Sequence, residues 1–104
     1  MYFSEDENRR TLASLLSLMK NEDSQLWIDC VDNAVVKKET DNTSILAFLD
    51  GMAELGEEFI FGFTDPVAWL NRVGFSKVTV ETCGEYIDDS DPVLSKYAFA
   101  LAQR

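Results

Sequence analysis

The sequence predicts an α/β fold, and three observations carry that expectation. Leu26-Trp27-Ile28-Asp29-Cys30-Val31 is a nearly continuous apolar run rich in β-formers, the pattern of a strand covered on both faces. Lys77-Val78-Thr79-Val80-Glu81-Thr82 alternates polar and apolar residues, as a half-buried strand near a sheet edge does. Before and between them lie segments of helical spacing with start and stop signals. At 104 residues, 46% of them apolar, the chain has material for one core, so residues 1–104 are expected to form a single domain.

The elements follow in order. Ser4-Glu5-Asp6-Glu7 reads as a capping box, the Ser4 hydroxyl accepting from the Glu7 amide while the Glu7 carboxylate reaches back. Leu12, Leu15, Leu16 and Met19 then form one apolar stripe, so a helix is expected to run to about Lys20. After the strand at 26–31 the text is polar to Asn42. Asn42 or Thr43 can cap a second helix, with Ile45, Phe48, Leu49 and Met52 on one side and Gly56 beyond its end. Phe59, Phe61 and Phe63 alternate like a strand but surround Gly62, which leaves strand and loop both open. Asp65-Pro66 and Gly74 punctuate a short helix at both ends. Past the acidic loop Asp88-Asp89-Ser90-Asp91-Pro92, the run 96–103 sets Tyr97, Phe99 and Leu101 against Ala98, Ala100 and Ala102. With both faces coverable, it predicts a central strand.

Composition excludes several functions. A formal charge of 9 − 19 = −10 repels a phosphate backbone or an anionic membrane surface, so no nucleic-acid or membrane partner is expected. The chain has no histidine, which removes imidazole acid/base chemistry and His-dependent triads. Its two cysteines, Cys30 and Cys83, have no C-x-x-C spacing, which points to a reducing cytoplasm. No window approaches the roughly 18 apolar residues of a membrane span. The five glycines fit neither G-x-G-x-x-G nor a P-loop. The acidic groups Glu5/Asp6/Glu7, Glu57/Glu58 and Asp88/Asp89/Asp91 lack an EF-hand pattern and read as solvated surface or helix caps, so no metal site is expected. Cys30 reads as an inert buried thiol, and Arg9-Arg10 and Lys37-Lys38 as solvated pairs. Phe59, Phe61, Phe63 and Trp69 either line an apolar pocket or form core under the sheet end.

Several motifs carry a family resemblance. Met1-Tyr2-Phe3-Ser4-Glu5-Asp6-Glu7, Leu26-Trp27-Ile28-Asp29, Phe61-Gly62-Phe63, Pro66-Val67-Ala68-Trp69-Leu70 and Gly74-Phe75 look like the C-terminal half of the leucine carboxyl methyltransferase family, S-adenosylmethionine-dependent class I O-methyltransferases. The resemblance covers nearly the whole chain. It implies the second half of a Rossmann-like methyltransferase sheet: about three strands with flanking helices, the last two antiparallel, and 96–103 between 25–31 and 77–82. It also implies that Met1 and Tyr2 stand near the cofactor and that Phe61, Gly62 and Phe63 form the acceptor-side wall. The family's glycine-rich loop, ribose-holding acid and fourth strand have no counterpart here, so no catalytic residue and no cofactor are expected for this chain alone.

In that order the strand at 25–31 is an edge with an apolar surface, a template for self-pairing, and the expectation is a homo-oligomer through it. The function expected is a truncated methyltransferase-like protein without stand-alone activity, serving as a structural or interaction module. The alternatives are one part of a split O-methyltransferase completed by a separate cofactor-binding half, a piece of a full-length enzyme, or a small acidic ligand-binding protein.

Overall fold

The chain enters its first helix through the capping box. The Glu7 amide donates to Ser4 Oγ at 3.2 Å and the Ser4 amide to Glu7 Oε1 at 3.3 Å, so two otherwise unpaired donors are satisfied reciprocally. The computed structural model describes residues 2–85 and 93–104. In these, α1 (Glu5–Leu18) is followed by β1 (Gln25–Val31), α2 (Asn33–Val36), α3 (Thr43–Glu54), α4 (Pro66–Val73), β2 (Lys77–Thr82) and β3 (Tyr97–Gln103). Single 3₁₀ turns occupy Cys83–Glu85 and Leu94–Lys96. The architecture is mixed α/β. The acidic loop at 88–92 lies outside the described residues.

The three strands form one sheet in the order β1-β3-β2, with β3 antiparallel to both neighbours. The last strand in sequence is therefore central, as its two coverable faces predict, and β1 and β2 are edges running parallel to each other. Gln103 stands opposite both Gln25 and Lys77, and Ala98 opposite both Cys30 and Thr82.

α1 and α4 cover one face. Leu12, Trp69, Leu70 and Phe75 pack there on Cys30, Ala100 and Ala102, with Leu26, Ile28, Val78 and Val80 at the margin. The alanines of β3 leave room for the bulky helix residues. A second core lies at the far end of β1, where Val31, Val35, Ile45, Leu49 and Phe59 meet, flanked by Phe48, Met52 and Tyr97.

Three expectations need correction. Residues 26–31 are not covered on both faces: Leu26, Ile28 and Cys30 face the helices, while Trp27 remains 69% exposed and Asp29 is exposed, because none of the described helices packs on that half of the opposite face. The polar stretch after Asp32 hides a helical turn, α2, capped by the Asp32 carboxylate at 2.8 Å from the Ala34 amide. Within the α1 stripe only Leu12 is buried, and Leu15 points to solvent at 37% exposure. The other helix signals hold: Asn42 Oδ1 accepts from the Ser44 and Ile45 amides, and Asp65 Oδ1 from the Ala68 amide before Pro66. No helix among the described residues is long and apolar enough to cross a membrane.

Candidate functional site

Because β1 and β2 both run antiparallel to β3, their carboxyl ends lie at one end of the sheet together with the amino end of β3. A cavity of about 250 Å³ opens there, with Cys30, Phe63, Thr64, Thr82, Lys96 and Tyr97 among its lining residues.

Backbone contacts explain how the Phe61–Phe63 segment reaches that cavity. The Phe63 amide donates to the Val31 carbonyl at 2.8 Å, and the Phe63 carbonyl accepts from the Asn33 amide at 3.0 Å, one parallel bridge beyond the end of β1. The segment is thus a crossing loop and not a strand. Gly62 makes the crossing possible: a Cβ there would lie 2.7 Å from Asn33 Cα and 2.8 Å from its amide nitrogen. Phe61 and Phe63 turn inward onto Trp69, with ring centroids 5.0, 5.6 and 5.2 Å apart. The Trp69 indole nitrogen donates to Glu5 Oε1 at 3.0 Å, which ties α1 to α4. On the outer side of this cluster a second cavity of about 290 Å³ is bounded by Glu5, Asp65 and Arg72.

The residues expected to form a site are therefore partly assembled. Phe63 lines the strand-end cavity, and Phe61, Gly62 and Phe63 together line the second one, with Phe61 and Phe63 in the aromatic cluster and Gly62 buried against Asn33. Tyr2 meets Phe59 edge-on at 5.6 Å, and Phe59 belongs to the core cluster that Tyr97 flanks, so Tyr2 stands at the same end of the sheet, 43% exposed. Met1 lies outside the described residues. Thr82, Lys96 and Tyr97 were not signalled as site residues by any spacing; they converge because each sits at a strand terminus.

Two titratable side chains at the strand-end cavity are shifted by burial. Burial, reinforced by the charge of Asp29, pushes the Cys30 thiol up to about 12, so it stays protonated and non-nucleophilic. Burial also raises Tyr97, with Tyr2, Asp29 and Cys83 adding to the effect. Both groups move away from neutral pH, the opposite of what acid/base work needs. Arg9 and Arg10 pair with Glu5 and Asp6 along α1, at 3.2 and 3.1 Å at the closest, and Lys38 lies 3.5 Å from Asp50. No group of three or more metal-ligating side chains occurs among the described residues. No family model, curated protein or solved structure matches this chain.

Proposed function

We propose that the chain is a methyltransferase-like α/β domain that works as an interaction module and not as a stand-alone enzyme. The observation that carries this reading is the strand order β1-β3-β2, with the terminal strand inserted antiparallel between two parallel ones. That is the arrangement implied by the resemblance of Phe61-Gly62-Phe63, Pro66-Val67-Ala68-Trp69-Leu70 and Gly74-Phe75 to the leucine carboxyl methyltransferase family. On this reading Tyr2 is a near-cofactor position, and Phe61, Gly62 and Phe63 belong to an acceptor-side wall.

The residues present do not fit S-adenosylmethionine. The strand-end cavity, at about 250 Å³, falls below the roughly 300–1,000 Å³ of usual ligand pockets, and none of the five glycines builds a phosphate-type or nucleoside cradle. The outer edge of β1, which no other strand among the described residues covers, favours a second reading, in which a separate cofactor-binding half supplies the neighbouring strand. Calorimetric titration of the 104-residue chain with S-adenosylmethionine and S-adenosylhomocysteine tests both. The expected result is no heat beyond dilution. Saturable micromolar binding by this chain alone would overturn the interaction-module reading, and donor binding that emerges only on adding a second polypeptide would establish the split enzyme.

A further inference from the structure

The sheet face opposite α1 and α4 presents aromatic and acidic side chains in a fixed register. Phe99 of the central strand has Asp29 on one side and Glu81 on the other; one step along, Leu101 lies between Trp27 and Thr79. The period of two puts all six on the same face. The Trp27 and Phe99 rings stand 6.1 Å apart at a tilt of 36°, and a cavity of about 140 Å³ lies between them and Glu81. Trp27 is 69% and Phe99 42% exposed, and Asp29 and Glu81 are exposed. The cation that the described strands carry on this face, Lys77, is two strand pairs away from Glu81, opposite Gln103.

Among the described residues the adjoining backbone edge is open. Phe63 occupies the outward carbonyl of Val31. Trp27 and Asp29 share the parity of Val31, so their amides and carbonyls point the same way, and they meet no further strand among the described residues. An open edge beside an electron-rich, acid-flanked aromatic pair matches an extended segment bearing cations. A second copy of this chain matches it less well. Each copy carries a charge of −10, and β1 contributes Asp29 but no Lys or Arg to meet it.

We propose that β1 and the open face bind a basic extended peptide segment of a partner protein. The segment adds as a strand outside β1. Its Arg or Lys side chains lie over Trp27 and against Asp29, and its alternate apolar residues follow Leu26 and Ile28 toward the helix side. This deepens the interaction-module reading: failure to bind such a peptide overturns this inference alone, whereas donor binding overturns the parent reading alone.

The test is calorimetric titration of the full chain with an end-blocked eight-residue peptide alternating Arg and Val. Its controls are the Glu-Val counterpart and an Arg-Val peptide N-methylated on the amides of one edge at a time. Saturable binding of the Arg-Val peptide, weakening as salt rises from about 0.05 to 0.5 M, is expected. Trp27→Ala should weaken it roughly fivefold and Asp29→Asn with Glu81→Gln roughly tenfold, with unchanged circular dichroism. The proposal is overturned by absence of binding, by equal binding of the Glu-Val peptide, or by undiminished binding of both N-methylated peptides. It is equally overturned by a dimer in sedimentation that protects the Trp27 and Asp29 amides from exchange without peptide, since the second copy would then be the occupant.

Discussion

The two faces of the sheet obey opposite rules of size. Toward α1 and α4, β3 presents Ala98, Ala100 and Ala102, the last two fully buried; toward the open side it presents Tyr97, Phe99 and Leu101, with Phe99 42% exposed. Small residues sit where helices must approach closely, and the bulk is supplied from the helix side by Trp69, Leu70 and Phe75. Burial in this sheet is thus decided by what lies over a face and not by the hydrophobicity of the strand residue, and Trp27 is among the most exposed large apolar groups while Ala100 is among the least exposed residues.

The contrast predicts unequal consequences for substitution. Leu70→Ala empties a fully buried position of the covered face and should cost about 2–5 kcal/mol in denaturant unfolding. Cys30 lies on the same covered face, and its raised ionisation fixes a sign. Above pH 9 the unfolded thiol releases its proton while the folded one, held up to about 12, keeps it, so stability falls with rising pH through that window. The slope approaches about 1.4 kcal/mol per pH unit, the limit for one proton. Cys30→Ala should flatten this alkaline limb in urea titrations, leaving a smaller residue from Tyr97. At the loop that seals the strand end, Gly62→Ala forces a carbon against the Asn33 backbone and should cost about 1–3 kcal/mol, read as a lower thermal midpoint. Trp27→Ser, on the open face, should change stability by about 0.5 kcal/mol or less. A loss comparable to Leu70→Ala would break the comparison, because Trp27 would then be buried in solution by something other than α1 or α4.

Much of this arrangement is legible in the residues, and the failures have identifiable causes. Ser4-Glu5-Asp6-Glu7 and Asp65-Pro66 with Gly74 state their helix boundaries chemically, through hydrogen bonds a local sequence can specify. α2 escapes notice because four residues are too few to display a period. β1 misleads because an apolar run does not distinguish a face covered by helices from one bearing an uncovered tryptophan. Phe59, Phe61 and Phe63 alternate as a strand would, yet the contact that bends them into a loop is between Gly62 and Asn33, 29 positions earlier. The strand-end cavity is the least legible part. Phe63, Thr82 and Lys96 come from separate segments and share only their position at strand termini, which emerges from topology and not from spacing.

The order β1-β3-β2 also governs how the sheet assembles in time. β1 and β2 are not hydrogen-bonded neighbours; each depends on β3, and the Gln25↔Gln103 pair joins residues 78 positions apart. A nascent chain that has emerged only through Thr82 holds two strands and no ladder. The ladder must therefore await residues 97–103: it can start on the short β2–β3 closure at Thr82↔Ala98, whereas the β1–β3 pairing must also meet the entropy of closing the longer loop.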